Sequence, residues 1–249
     1  MLIFCLAAQL ALATPALEEV IEQTYAVGPK PTLSIQNTDG TIYVYASDQN
    51  EIKITARKRA YTKQRLESIS VKVVAQSESI TIETTYPPKR EGLSLADRSG
   101  TVDYLILVPP GCAISKAELA NGEIILEGLH GNSVNARLGN GILSARNCFS
   151  PTNVTLASGV IDLFFGWWEE SAFSLSAANG NGDVRVALPP KPDVSLDAST
   201  ENGQVRNGFA KEAEKKGNVR SVQTVIGDGI GAAFQLRATN GNIRIEQAY

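Results

Sequence analysis

Histidine, methionine and cysteine are scarce in this sequence, which holds one, one and three of them in 249 residues. A catalytic triad would have to use the sole histidine, His130, which lies in the turn-like stretch GLHGN with no nucleophile motif beside it. We predict a surface-turn histidine there. An excess of one charge sign is also missing. The net charge is -3, so general binding to nucleic acid or to an anionic membrane has little electrostatic support.

Long apolar runs are missing as well, apart from one at the N-terminus, MLIFCLAAQLALATPALEE. About twelve apolar residues are too few to span a bilayer comfortably, and Ala11-Leu12-Ala13 offers an A-x-A cleavage pattern. We predict a signal peptide over residues 1–16, cleaved after Ala13 or Ala16. The protein would then be exported to the periplasm, the cell surface or the medium, with no transmembrane segment remaining. No lysine or arginine precedes the apolar run, which leaves the true start codon open.

Two cysteines, Cys112 and Cys148, remain after removal of that leader. In an oxidising compartment they could form a disulfide, and two buried free thiols are the alternative. Neither a C-x-x-C spacing nor a neighbouring histidine indicates metal binding or redox chemistry. We expect no cofactor.

A repeated turn dominates the rest of the chain. Seven segments of the type NGEIIL or NGDVRV share a glycine that follows Asn, Asp or Ser. The seven glycines are Gly40, Gly122, Gly141, Gly159, Gly182, Gly203 and Gly241. Glycine adopts positive φ without steric cost, and the preceding side chain hydrogen-bonds locally, so we predict structural turns at these positions.

Apolar residues lie two and four positions after these glycines, with one exception, and at odd positions before them. This is strand alternation on both sides of a turn, and it predicts an all-β protein. Successive glycines from Gly122 to Gly203 are 18 to 23 residues apart, which is one supersecondary unit per repeat. Two architectures fit. We favour a β-solenoid in which each repeat of about 20 residues adds a coil. The alternative is an antiparallel β-meander or sandwich of hairpins, in which the two flanks of each Asn-Gly turn pair with each other.

We predict a linker over residues 17–32 and a single domain over residues 33–249. The domain is strand-rich to about residue 110 and regularly repeated from about residue 111. The helical candidates are EEVIEQTYAV near the start and GFAKEAEKKG at 208–217, and the latter interrupts the repeat where the glycine spacing doubles to 38 residues. The stretch YPPKREGLSLADRSG has the composition of an exposed loop.

A resemblance to a known family rests on an ordered combination of these features. The exported leader is followed by YLILVPPGCAI, then by NGEIILEGLHGNSV and NGILSA, and finally by GIGAAFQLRATNGNIRIE. Together they resemble the bacterial putative-adhesin family of β-strand repeat domains, a domain of unknown function, over about residues 33–246. The resemblance implies a right-handed β-solenoid-like fold in an exported or surface protein. The family has no established catalytic residues to transfer.

The glycine-rich turns lack the residues of phosphate and calcium sites. GNGDVR has no Lys-Ser/Thr pair of a P-loop, and a strand pattern follows it instead of a helix. Calcium-binding repeats place aspartates in consecutive turns, whereas only Glu123 and Asp183 directly follow the seven glycines here, in non-adjacent repeats. We therefore predict no metal site and no catalytic residue.

Aromatic residues make up only 6% of the sequence but are concentrated in IDLFFGWWEESAF, at 161–173. Both tryptophans, Trp167 and Trp168, lie there, in the repeat with the longest single spacing. One hypothesis is an exposed platform that stacks on sugar rings or anchors a partner. The other is a loop folded over an edge of the sheet. Trp167 and Trp168 are our candidate partner-binding residues.

These observations favour a non-enzymatic exported β-repeat protein with a structural, adhesive or binding role at the cell envelope. Its partner would be a glycan or a cell-envelope protein. The alternative is a carbohydrate-active enzyme, a polysaccharide lyase or hydrolase, on a β-helix scaffold. Such an enzyme would need carboxylates or basic residues at matching positions on adjacent coils, and the sequence shows no evident ladder of that kind.

Overall fold

The computed structural model describes residues 16–88, 99–209 and 220–248, and this part of the chain is nearly all β, as predicted. The strands are β1 (Leu17–Ala26), β2 (Thr32–Ala46), β3 (Glu51–Ala60), β4 (Ser70–Gln76), β5 (Ser79–Thr85), β6 (Thr101–Val108), β7 (Ala113–Glu127), β8 (Val134–Arg146), β9 (Thr152–Phe164), β10 (Phe173–Asn181), β11 (Val184–Leu188), β12 (Val194–Asn202), β13 (Val205–Asn207), β14 (Ser221–Ile226), β15 (Ala232–Asn240) and β16 (Ile243–Gln247). A short helix, α1 (Lys63–Ser68), follows β3. The predicted signal peptide up to residue 15, residues 89–98 of the predicted loop and residues 210–217 of the second helical candidate lie outside the described residues.

The repeats pair in parallel and in register. Gly122 of β7 lies opposite Gly40 of β2 on one side and opposite Gly141 of β8 on the other, and β8 pairs with β9 in the same way. The two flanks of an Asn-Gly turn therefore pair with the next repeat and not with each other. The structure does not have antiparallel hairpins at these turns. Strands β2, β7, β8 and β9 continue through their glycine as a corner, and at Gly182, Gly203 and Gly241 separate strands precede and follow the glycine.

Each corner divides its repeat between two walls of the molecule. We call the segments before the glycine the first wall and those after it the second wall. The strand order of the first wall is β4-β5-β2-β7-β8-β9-β10-β15-β12-β14, and that of the second wall is β1-β3-β6-β2-β7-β8-β9-β11-β16-β13. Within the described residues, both walls end in strands that pair on one side only, β4 and β14 in the first and β1 and β13 in the second.

The last repeat is inserted out of chain order. Strand β15 pairs in parallel with both β10 and β12, and β16 pairs with both β11 and β13. Strand β14 first runs antiparallel along β12, and the chain then returns between strands that precede it. The doubled spacing between Gly203 and Gly241 therefore contains an edge strand and a reversal of stacking order.

The core lies between the two walls. Buried residues occupy odd positions before the corner and even positions after it, as with Leu33 and Ile35 against Ile42 and Val44 in β2. The same change of parity recurs in β7, β8 and β9. Both halves of each repeat thus contribute to one hydrophobic cluster.

The corner glycines form a column through the stack. Gly141 has a φ of 135°, and a Cβ atom built on it would collide with the backbone carbonyl oxygen of Gly122. A Cβ on Gly122 would collide in the same way with Gly40. Gly203 is the exception in conformation, since its φ is not in the left-handed range, although a Cβ there would also meet the carbonyl of Gly241.

Residues near the N-terminus correct two predictions. The segment EEVIEQTYAV was a helical candidate, and residues 17–32 were predicted to be a linker, but Leu17–Ala26 forms β1 and pairs antiparallel with β3 along its whole length. Ion pairs from Glu18 to Arg59 (3.2 Å) and from Glu19 to Lys58 (2.8 Å) join the two strands. This long-range pairing overrides the local helical pattern, which is a weak determinant by itself.

The structure resolves the alternatives for the cysteines. Cys112 and Cys148 are both buried and both free. Burial raises the pKa of each thiol to about 12. The two thiols thus behave as small apolar core groups and not as a disulfide.

Candidate functional site

The two tryptophans lie in the loop between β9 and β10. Backbone and side-chain hydrogen bonds hold the start of this loop. The Gly166 N–H donates to Oδ1 of Asn147 at 2.8 Å, and the Asn147 N–H donates to the Phe164 carbonyl at 2.8 Å. Asn147 itself has a left-handed φ of 47°, a conformation that asparagine tolerates. The loop therefore presents its side chains from a fixed backbone.

Trp168 points into an aromatic cluster. Its ring centroid lies 5.7 Å from those of Phe165 and Phe173, 6.2 Å from that of Phe234 and 6.4 Å from that of Phe149. These rings come from the β8–β9 loop, the β9–β10 loop and strands β10 and β15. Aromatic pairs at such distances are favourable beyond the area that they bury. Trp168 is thus placed as a packing residue.

Trp167 lies on the outside of the same cluster. Its side chain is 50% exposed, and its ring centroid lies 6.0 Å from that of the buried Phe149. Its Nε1–H donates to Oε1 of Glu169 at 3.2 Å, and the same oxygen lies 3.0 Å from Nε2 of His130. We call His130, Trp167 and Glu169 the Trp167 patch.

The Trp167 patch combines residues from two loops, the β7–β8 loop and the β9–β10 loop. His130 belongs to the loop between β7 and β8, and its Nδ1 lies 3.0 Å from the carbonyl oxygen of Gly128. The patch offers an apolar indole face beside a carboxylate acceptor and an imidazole, and all three side chains are partly exposed. Such a combination can stack on an apolar ring face and hydrogen-bond to hydroxyl groups at its edge.

The structure shows a second candidate surface that was not predicted from the sequence. Three arginines, Arg185, Arg244 and Arg206, lie on adjacent parallel strands of the second wall, β11, β16 and β13, in matching register. Their neighbours along the strand, such as Val184 and Val186, are buried, so the arginines project from the outer face. We call these three residues the arginine row. A repeated sequence position could have identified this surface, because each arginine lies three positions after its corner glycine, in NGDVR, NGNIR and NGQVR.

A groove of about 570 Å³ crosses the outer face of the first wall over β2, β7, β8 and β9. Its lining includes Glu118 and Arg137 on neighbouring strands, and Glu118 is paired with Lys116 at 3.0 Å. Glycoside hydrolysis ordinarily needs two opposed carboxylates. Glu118 is the single carboxylate among the described residues that line this groove.

The two carboxylates that follow corner glycines are engaged by protein groups. Oε2 of Glu123 accepts a hydrogen bond of 2.6 Å from the Tyr43 hydroxyl, and Oδ1 of Asp183 accepts one of 2.9 Å from the Asn242 N–H. Over residues 16–88, 99–209 and 220–248, no group of three or more His, Cys, Asp or Glu side chains is arranged to hold a metal ion. Within those ranges no helix is long and apolar enough to cross a membrane.

Comparison with known proteins places the chain in a family. Residues 28–246 match the family model Toastrack DUF4097, and no curated protein matches the chain. The crystal structure of a putative cell adhesion protein from Clostridium sporogenes is similar with a TM-score of 0.52 and 18% identity, over 92% of this chain and 100% of that one. This likeness concerns the fold alone.

Two further crystal structures match more distantly. A putative adhesin from Bacteroides fragilis has a TM-score of 0.34 and 12% identity, over 92% of this chain and 97% of that one. A putative lipid binding protein from Parabacteroides distasonis has a TM-score of 0.33 and 9% identity, over 93% of this chain and 97% of that one.

Proposed function

The chain belongs to the Toastrack DUF4097 family, and we propose that it is a non-enzymatic binding protein of the cell envelope whose contact residue is Trp167. The observation that carries this proposal is the half-exposed Trp167 indole, fixed by Glu169 above a buried aromatic cluster. The partner is a glycan or a cell-envelope protein. Trp168 drops out of the proposed contact surface because its ring is partly buried and packs against the hydrophobic cluster.

Preorganisation supports a binding role for Trp167. An exposed indole costs solubility unless a partner covers it, and a rigid aromatic ring loses little conformational entropy on binding. The ring is held by the Glu169 hydrogen bond and by Phe149 beneath it. Aromatic side chains held in this way are over-represented among residues that dominate binding energy.

The proposal includes export and a right-handed coil. The apolar leader with its A-x-A pattern supports export to the periplasm, the cell surface or the medium. Parallel strands such as β7, β8 and β9 must be joined by crossovers, and crossovers between parallel strands are right-handed in nearly all proteins. We therefore assign the repeats to a right-handed β-solenoid.

The test compares Trp167→Ala with a matched exposed aromatic, Phe164→Ala, which is 36% exposed on the last residue of β9. The probes are a glycan microarray and isolated envelope fragments in a sedimentation assay. We expect wild type and Phe164→Ala to bind the same probe. Trp167→Ala should bind that probe about tenfold or more weakly than wild type. Trp167→Ala should keep the wild-type melting temperature within about 3 °C, since the ring covers little of the core.

Two results would contradict this proposal. One is the absence of binding by wild type to both probes. The other is equal binding by wild type and Trp167→Ala. The variant Trp168→Ala serves as the structural comparison, because loss of a ring packed against Phe165 and Phe173 should lower stability by about 3 kcal/mol.

A further inference from the structure

We propose that the arginine row, Arg185, Arg244 and Arg206, binds a linear anionic polymer through its phosphate or carboxylate groups. The row is a ladder of basic residues on matching positions of adjacent coils, created where the last repeat inserts between two earlier ones. It lies on strands β11, β16 and β13, and the Trp167 patch lies in loops that contribute nothing to it.

The register sets the spacing of the positive charges. Arg185 lies opposite Arg244, and Arg244 lies opposite Arg206, with all three strands parallel. Neighbouring strands are about 4.8 Å apart, so the three Cα atoms span about 10 Å in a line across the strands. A polymer that carries one acidic group per short repeat unit can contact successive arginines along this line.

The arginines have no acidic partner within the described structure. None of the three forms an ion pair or a hydrogen bond with another described residue, and Nε of Arg244 is shielded from solvent without an acceptor. Arg237 of the first wall shows the contrasting case. It donates to Asp197 of the neighbouring strand at 2.6 and 3.0 Å, and its charge is thereby neutralised by the protein.

Three acidic side chains lie near the row, and none of them is paired with an arginine of it. Asp162 lies beside Arg185 in register on β9, Asp183 accepts hydrogen bonds from Asn242, and Glu246 follows Arg244 by two positions. Three guanidinium groups about one strand spacing apart repel one another by about 1 kcal/mol per neighbouring pair even in water. A bound anion relieves this repulsion and supplies the acceptor that Arg244 lacks.

Guanidinium chemistry favours phosphate and carboxylate. The planar fork of arginine presents paired N–H donors that match the two oxygens of either group. The net charge of the whole chain is -3 and therefore opposes general attraction of polyanions. Binding to such a polymer would have to come from a local arrangement such as this row.

The test uses a triple variant, Arg185→Gln with Arg206→Gln and Arg244→Gln, and a control with the same change of charge. The control is Arg137→Gln with Lys53→Gln and Lys72→Gln, three exposed cations elsewhere on the surface. Fluorescence anisotropy is measured with labelled polyphosphate, labelled polygalacturonate and a neutral dextran, between about 50 and 300 mM salt. Polyphosphate and polygalacturonate distinguish phosphate from carboxylate as the recognised group.

We expect wild type to bind at least one acidic polymer and not dextran. The row triple variant should weaken that binding by about tenfold or more and flatten its salt dependence, while the control stays within about twofold. Arg244→Lys keeps the charge but loses the fork, and it should give an intermediate loss. Because the side chains project outward, the triple variant should keep the wild-type melting temperature.

Two results would overturn the proposal. One is failure of wild type to bind either acidic polymer at low salt. The other is an equal loss of affinity in the row variant and the control variant.

Discussion

The side-chain amide of Asn140 donates a hydrogen bond of 3.0 Å to Oδ1 of Asn121 in the neighbouring coil. The same bond recurs from Asn121 to Asp39, from Asn240 to Asn181 and from Asn202 to Asn240, at 2.8 to 2.9 Å. The side chains before the corner glycines thus form a ladder of hydrogen bonds along the stack. The ladder is interrupted at Ser158, where the side chain is too short to continue it.

Replacement of Ser158 by asparagine should stabilise the protein. Ser158 lies opposite Asn140 on one side and Asn181 on the other, so an amide there can join the two halves of the ladder. A net gain of about 1 kcal/mol is expected from a partly exposed side-chain hydrogen bond. Urea unfolding of wild type and Ser158→Asn measures it. Ser158→Asp has the same shape but no N–H donor, and an equal gain in that variant would contradict the ladder explanation.

Replacement of Gly141 by valine should destabilise the protein strongly. The φ of 135° at Gly141 is open only to glycine, and a side chain there would collide with the backbone of Gly122. We expect a loss of at least about 2 kcal/mol in the free energy of unfolding. Gly166→Ala is the control, because Gly166 lacks a positive φ and its nearest neighbour would be the Phe164 side chain at 3.2 Å. Similar melting temperatures for Gly141→Val and wild type would rule out a steric role for the column.

The inward positions were predictable from the sequence, but the stacking was not. The rule of two and four residues after the glycine identifies Ile42 and Val44 as buried, which they are. The same parity fits a hairpin and a coil equally well, because both place the two flanks on one core. The partner of the Asn-Gly corner distinguishes the coil from the hairpin. Asn140 bonds to Asn121, nineteen residues away, and not to its own flank.

The family could be predicted from the sequence, whereas the candidate sites could be predicted only in part. The ordered motifs identified the family, which the match over residues 28–246 confirms. The density of aromatic residues marked the Trp167 loop, but the side that each indole faces depends on Phe149 and Phe234 from distant segments. The arginine row was visible as a repeated position. Its continuity depends on the insertion of β16 between β11 and β13, which the spacing of 38 residues does not reveal.

Alkaline pH should destabilise the fold through the two buried thiols. Burial raises the pKa of Cys112 and Cys148 to about 12, whereas thiols of the unfolded chain ionise near pH 8.5. Their contribution is therefore fully present below about pH 8 and is lost as the pH rises toward 12, by up to about 1.4 kcal/mol per pH unit for each thiol.

The measurement is urea unfolding between about pH 8 and pH 10, below the range where most tyrosines ionise. Cys148→Ala should be less stable than wild type at pH 7 because of the lost packing, and its stability should fall less steeply with pH. Parallel pH profiles for the two proteins would show that the thiol ionises equally in both states. Iodoacetamide at pH 8 should leave Cys112 and Cys148 unmodified until the protein is unfolded.

The inserted repeat should make the C-terminal strands open as one unit. Among the described residues, β12 pairs with β15 on one side and with the edge strand β14 on the other. A pair such as β12 and β14 is not stable alone, so loss of β15 should expose both. The buried Leu236 of β15 is the place to test this, because Leu236→Ala removes core packing from β15 and leaves the residues of β12 unchanged. Hydrogen exchange by mass spectrometry should then show protection in Val194–Ser199 falling by about tenfold or more, together with that of β15 itself.

The control is Ile80→Ala, an equally buried change in β5 at the opposite end of the first wall, and it should leave the protection of β12 unaffected. Retained protection in β12 while β15 exchanges would mean that the inserted repeat is not what holds the last coil in place.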